Sequence, residues 1–184
     1  MEYSITQIGK KLEQIVQKAV TSELGIAKEK IGMGIPGQAQ GLIVCLYLYD
    51  FRKNTWIQSQ SMETVDLTRQ RYPSKYYDLY FLITFHSEGD MQFRMEEELK
   101  IMDILLRWLG DVSILESDNR GTKTPQFEIH DPDLEEKVKI WSGLTQPMQP
   151  AVYCKVGPVE VVSDRTKRIS RVTDIQMNYE EEAT

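Results

Sequence analysis

Between residues 5 and 20 the apolar positions recur at the spacing of a single helix face. Ile5, Ile8, Leu12, Ile15, Val16 and Ala19 share it, with Lys10, Lys11, Gln14 and Lys18 opposite. Ser4 and Gln7 stand three apart in a capping-box pattern, so a helix is expected to open there. Gly25 and the glycine-rich stretch Gly32–Gly41 should end it and form a loop. Leu42–Phe51 is then apolar on both alternating sets: Leu42, Val44, Leu46 and Leu48 against Ile43, Cys45, Tyr47 and Tyr49. A strand of that kind belongs in the middle of a covered sheet. Lys53–Leu67 is polar and irregular, with a short strand expected at Trp56–Gln58.

Tyr76–His86 alternates most regularly. Tyr77, Leu79, Phe81, Ile83 and Phe85 are apolar, while Asp78, Tyr80, Leu82, Thr84 and His86 are mixed, which predicts a strand. A helix is predicted from about Met91 to Leu109, closed by Gly110. Its core stripe would be Met95, Leu99, Met102, Leu106 and Leu109, widened by Ile101, Leu105 and Trp108, with Glu96–Glu98 favourably placed near its start. Ser117–Pro125 has loop chemistry, and Phe127–Ile129 reads as a short strand. Asp131–Pro132 suggests an N-cap followed by proline at the first helical position. The helix it opens would bury Leu134, Val138 and Trp141 and stop at Gly143. Ala151–Val162 is extended and carries Gly157–Pro158. Because proline removes a ladder donor, this strand should be an edge or bulged one.

These elements amount to a single α+β domain over residues 1–164, with a small mixed β-sheet and at least three helices, and no internal repeat. The core is complete before Arg165. Residues 165–184 read as an extended C-terminal arm: Arg165, Lys167, Arg168 and Arg171 are basic, Thr173, Ile175, Met177 and Tyr179 alternate, and Glu180–Glu182 are acidic.

Composition narrows the function. With 184 residues, 41% hydrophobic and 27% charged, the chain is ordinary globular protein. No apolar run approaches the roughly 20 residues that span a bilayer, and the first ten residues lack a signal peptide's apolar stretch. The expectation is a protein made and kept in the cytoplasm, with no membrane partner. A net charge of −6 argues against nucleic acid as a partner. Two cysteines, Cys45 and Cys154, are too few for a disulfide framework or a structural zinc site.

Catalytic chemistry is hard to place. Gly32-Met-Gly-Ile-Pro-Gly37 matches G-x-G-x-x-G in form only. A dinucleotide site needs a strand before it and a helix after it, whereas here a lysine-rich segment precedes and a strand follows. Asp78, Glu98 and Lys100 imitate the acidic and basic set of a magnesium nuclease. On a helix, however, Glu98 and Lys100 diverge by about 200°. His86 and His130 lack metal-ligand spacing, and no G-x-S-x-G occurs. Cys45 lies inside a buried strand, where a thiolate is disfavoured. The weight shifts from enzyme to interaction protein, with no catalytic, cofactor or metal site expected.

Three blocks in order carry a resemblance: Leu46-Tyr-Leu-Tyr-Asp-Phe-Arg-Lys-Asn54; Tyr76-Tyr-Asp-Leu-Tyr-Phe-Leu-Ile-Thr84 with the helix from Met95; and Trp141-Ser-Gly-Leu with Gln149-Pro-Ala-Val-Tyr-Cys-Lys-Val156. Over residues 1–164 the chain resembles the cap proteins, or tail terminators, of contractile injection systems, which are phage-tail-like particles with an inner tube inside a contractile sheath. The resemblance implies a structural, non-enzymatic role. A homohexameric ring would sit on the last layer of sheath protein and inner tube protein, at the end far from the baseplate, in a particle assembled in the cytoplasm and then released. The alternatives are a tail-completion or connector protein of a contractile phage, or a divergent metal-dependent hydrolase.

A sheath built by strand exchange leaves unpaired edges on its last layer, and a cap with an open strand would satisfy them by β-augmentation. The candidate interface residues are Gly157 and Pro158 on the interrupted strand, and Arg165, Lys167, Arg168, Arg171, Ile175, Met177 and Tyr179 on the arm.

Overall fold

The structure, a computed structural model, describes residues 4–57, 61–87, 89–90, 93–111, 125–144 and 146–169. Helix α1 spans Ile5–Leu24. Ser4 caps it with the expected reciprocal box: the Ser4 hydroxyl accepts from the Gln7 amide at 3.2 Å, and the Gln7 side-chain oxygen accepts from the Ser4 amide at 2.9 Å. Gly25 ends it in the left-handed region at φ 68°. After a single 3-10 turn, Lys28–Lys30, the chain enters β1, Ile31–Met33. The glycine-rich stretch therefore begins as a strand, and the loop proper lies between β1 and β2.

Strands β2 (Val44–Lys53) and β5 (Lys75–Phe85) are the two long ones expected from the alternation. Between them lies a hairpin of β3 (Glu63–Thr64) and β4 (Arg69–Arg71); of the strand expected at Trp56–Gln58, Trp56 and Ile57 are not in a strand and Gln58 lies outside the described residues. Helix α2 spans Arg94–Asp111, and β6 spans Gln126–Ile129. Helix α3 spans Leu134–Ser142, β7 Val152–Val161 and β8 Thr166–Arg168. Among the described residues there are two sheets, a five-stranded one ordered β1-β2-β5-β7-β6 and a three-stranded one ordered β3-β4-β8. The β1–β2 pair is parallel and the others are antiparallel, so the larger sheet is mixed.

Alternation sorts β5 into two faces. Leu79, Phe81, Ile83 and Phe85 join Ile8, Leu12 and Val16 of α1 and Ile101, Leu105 and Leu109 of α2 in the main core. Leu82 on the opposite face meets Trp141 of α3, Leu144 and Tyr153. The Trp141 indole N–H donates to the Tyr153 hydroxyl at 2.9 Å, satisfying a buried polar atom where the layer is thin.

Two helices sit differently from expectation. In α2 the buried residues are Ile101, Ile104, Leu105 and Leu109, whereas Met95, Leu99 and Leu106 are 67%, 47% and 40% exposed. The apolar arc of this helix is wider than the sheet can cover, and its Met95–Leu99–Leu106 side is left outside. In α3 only Trp141 is buried, and Leu134 and Val138 stay exposed. Its N-cap is Asp133 rather than Asp131: the Asp133 carboxylate accepts from the Glu136 amide at 2.7 Å, while Asp131 pairs with Lys137. Asp133→Ala should lower stability by about 1 kcal/mol, read from a urea midpoint, and Asp131→Ala by clearly less.

Candidate assembly surface

The larger sheet has one irregularity with consequences for its rim. The β5–β7 register shifts between Tyr77 and Leu79. There Asp78 is buried, and the Asn54 side-chain amide donates to both of its oxygens at 3.1 Å, with the Lys155 ammonium 3.7 Å away. Asn54 is itself buried, and its side-chain oxygen accepts from the amides of Trp56 and Ile57, each at 3.0 Å. Gly157 crosses this cluster so closely that a Cβ would overlap the Asp78 carboxylate and lie 3.1 Å from the Asp78 Cα. Gly157→Ala should therefore cost about 1–3 kcal/mol through overpacking, read from thermal unfolding.

This placement corrects the edge reading of Gly157–Pro158. Through Gly157, which pairs with Gln126 of β6, strand β7 is interior, held by β5 on one side and β6 on the other. The bulged reading is the one that holds. Beyond Gly157, Val159–Val161 keep β5 on one side, and no strand among the described residues covers the other. Pro158 thus stands where β7 passes from the interior to the rim.

The three-stranded sheet continues from that rim. It is joined to β5 through Tyr72–Ser74 and to β7 through Val162–Arg165. Its hairpin turn is organised by Asp66, which accepts from the Thr68 amide, the Thr68 hydroxyl and the Arg69 guanidinium at 2.8, 2.9 and 2.6 Å. Those bonds, the Thr68 amide first, hold its carboxyl down at about 2. Every residue of β3 and β8 is exposed, so backbone pairing rather than burial holds this sheet.

The arm expected from Arg165 thus begins as part of the folded chain. The Arg165 carbonyl accepts from the Tyr72 amide at 3.0 Å, Thr166–Arg168 pair with β4, and the Thr68 carbonyl accepts from the Ile169 amide at 2.8 Å. Arg165, Lys167 and Arg168 are brought beside Arg69 and Arg71 of β4, two cations the sequence reading did not attach to them. The pairing sets Arg69 opposite Arg168 and Gln70 opposite Lys167, and the Arg165 guanidinium lies 4.6 Å above the Tyr72 ring. The available signal was the polar alternation Arg69-Gln-Arg71, which carries no apolar face. Arg171, Ile175, Met177 and Tyr179 lie outside the described residues.

Residues weighed for catalysis are scattered. Asp78 lies at the bulge with Asn54. Glu98 accepts from the Ser87 amide at 3.2 Å and sits 4.0 Å from His86, near the other end of β5, about 27 Å along the strand. Lys100 pairs with Glu96 at 2.8 Å. Gly32 lies in β1 and Gly37 in the loop after it, where φ is 79°. His130 packs its ring against Tyr80. Burial pushes the Cys45 thiol up to about 11, and Cys154, wholly buried, is pushed up as well. Among the described residues no group of three or more His, Cys, Asp or Glu is placed to hold a metal ion, and no helix is long and apolar enough to cross a membrane. The clefts are small. One of about 380 Å³ opens between the end of α1 and α2, at Leu24, Ile26 and Ile101, and another of about 200 Å³ lies under the β1–β2 loop, at Cys45 and Thr84.

Comparison with known proteins gives this surface a context. The profile of the Pvc16 N-terminal domain family matches residues 11–174. Among solved structures, the chain is similar to the sheath/tube terminator of an extracellular contractile injection system, PVC, in its extended state. The TM-score is 0.71 and the identity 16%, covering 100% of this chain and 65% of that one. It is also similar to the tube-terminating cap of the anti-feeding prophage, at TM-score 0.66 and 15% identity over 97% of this chain and 62% of that one. At these identities the likeness establishes the fold, and the chain spans less than two thirds of either solved chain. No curated protein matches it.

Proposed function

Because the chain belongs to the Pvc16 N-terminal domain family, we propose that it is a structural cap that terminates the tube and sheath of a contractile injection system. The observation that carries this reading is the correspondence of the whole fold, at TM-score 0.71, with a sheath/tube terminator. Within the proposal the cap is a homohexameric ring on the final layer of inner tube and sheath proteins, distal to the baseplate. It acts by occupying polymerisation edges rather than by catalysis, and it joins the particle in the cytoplasm before release. Closed cyclic symmetry gives one ring per particle end, which is what a terminator requires.

The rim formed by the end of β7 and the exposed small sheet supports this reading. Unpaired backbone groups there are suited to accept a strand from a neighbouring subunit. Gly157 enters only indirectly, by shaping the bulge that leads to this rim. The interface residues in this proposal are Pro158, Arg165, Lys167, Arg168, Arg171, Ile175, Met177 and Tyr179.

Electron microscopy of particles carrying a gold-labelled form of this protein tests the proposal. The expected result is label at one end only, opposite the baseplate, with irregular or overlong sheaths when the gene is removed. Normal ends without label overturn it, and label against a DNA-filled head would identify a phage connector instead. A second expectation concerns residues 170–184. Their deletion leaves β8 in place, so the domain should keep its unfolding midpoint and lose capping; intact capping by the truncated chain removes those residues from the interface.

A further inference from the structure

The small sheet concentrates positive charge on a chain whose net charge is −6. Arg69 and Arg71 on β4 and Arg165, Lys167 and Arg168 beside and on β8 are five cations on two paired strands. Arg69 is bound to Asp66 at 2.6 Å and Arg71 lies opposite Glu63 in the β3–β4 register, whereas Lys167 and Arg168 have no ion-pair partner among the described residues. Arg168 lies directly opposite Arg69, a like-charge placement that Asp66 offsets only on the Arg69 side. No burial compensates, since all of β8 is exposed. Among the described residues β8 is also an outer strand of its sheet, so that edge offers backbone groups beside the cations. Val65, exposed in the turn between β3 and β4, adds an apolar element.

From this geometry we infer that the β8 edge is the docking site for the acidic segment around Glu180–Glu182 of a second copy of this chain. The inference rests on the cap reading and names the contact that would close its ring. The match is one of charge and order. Residues 175–179 alternate Ile175, Met177 and Tyr179 with polar residues, as an added strand requires, and three successive carboxylates follow them. Carboxylates beside Lys167 and Arg168 supply counter-charges to two cations that have no ion-pair partner among the described residues.

A second copy is favoured over the chain's own segment by register. A two-residue turn directly after Ile169 would set Thr173 opposite Arg168 and carry Glu180–Glu182 past the cations. A segment from a neighbour has no such constraint. Each copy then gives one segment and receives another, a head-to-tail contact that closes into a ring.

A charge-swap experiment on the full chain tests this by sedimentation. The wild-type protein is expected to self-associate at 0.1 M salt. It should come apart at 1 M, where the Debye length falls from about 10 Å to about 3 Å. One variant carries Lys167→Glu and Arg168→Glu; another carries Glu180→Lys and Glu182→Lys. Each alone should associate at least about tenfold more weakly, since attraction becomes repulsion. Their equimolar mixture should recover association, because each then meets a partner of opposite sign. A Lys10→Glu, Lys53→Glu control matches the charge change of the first variant away from the β8 edge and should behave as wild type.

Recovery in the mixture can arise only between chains. A mixture no better than its components means the segment folds back on its own copy and overturns the inference. So does wild-type-like association by either variant, or a wild-type chain that stays monomeric at near-millimolar concentration and low salt. Particle ends labelled and closed by the Lys167→Glu, Arg168→Glu variant would reject this contact while leaving the cap function standing. Absence of the wild-type protein from particle ends would reject the function itself.

Discussion

Phe81→Ala should lower the stability of the chain by about 3–5 kcal/mol. Phe81 is among the largest fully buried side chains, 1% exposed, on the central strand of the larger sheet. Its pairing partners are Leu48 on β2 and Cys154 on β7. Its ring lies in the core that α1 and α2 cover, a layer closed on both sides by helix and sheet that cannot collapse onto a vacancy. Both the lost transfer energy of the ring and the cavity left behind therefore count. For a chain of this size the thermal midpoint should drop by about 6–20 °C. Urea unfolding monitored by circular dichroism measures the effect. The informative contrast is Leu99→Ala, on the exposed flank of α2, which should cost less than about 1 kcal/mol. Equal losses at the two sites would mean that the buried face of α2 is wrongly assigned.

Asn54→Ala should cost about 2–4 kcal/mol, far more than the loss of its few atoms from a hydrophobic site. One side chain makes four hydrogen bonds there: it donates to both oxygens of the buried Asp78 and accepts from the amides of Trp56 and Ile57. Truncation leaves the carboxylate with only the Lys155 ammonium at 3.7 Å and frees two amides at the end of β2. The cost is that of stranded partners, so removing both sides should be milder than the sum of the two changes. A double-mutant cycle of Asn54→Leu and Asp78→Leu should show a coupling of at least about 1 kcal/mol. Additive losses would show that the two side chains act independently.

How far these features could be read from residues depended on what holds each element in place. Helix α1 and strands β2 and β5 are held by burial and, in α1, by capping, which leave a periodic trace. Helix α2 was legible as a helix but not in its orientation. Its apolar residues run from Leu105 round to Leu99, and only the position of the sheet decides which part is covered. The residue pattern places the start of α3 two residues early, at Asp131, because only the folded backbone shows that it is the Asp133 carboxylate that meets the Glu136 amide. β3, β4 and β8 are short and polar, with no buried residue, held by backbone pairing and by the Asp66 turn, so periodicity had nothing to register. The same cause hid part of the candidate surface. Arg165, Lys167 and Arg168 were visible as a local cluster, but Arg69 and Arg71 join them only through the β4–β8 register. Gly157 was legible as an interruption, while its interior position depends on β6, a strand of four residues.

The long strands belong to two environments at once. In β5, Lys75, Tyr76 and Tyr77 are exposed or half-buried, whereas Asp78–Phe85 are all buried. The opposite ends of β2 and β7 follow suit, with Phe51–Lys53 and Val161 outside. Amide hydrogen exchange should therefore be graded within single strands rather than between elements. The amides of Phe81 and Ile83 should exchange only through global unfolding, and those of Lys75–Tyr77 through local opening that leaves the body intact. Fraying is thereby confined to the rim, where a neighbouring chain could halt it without any change in the core.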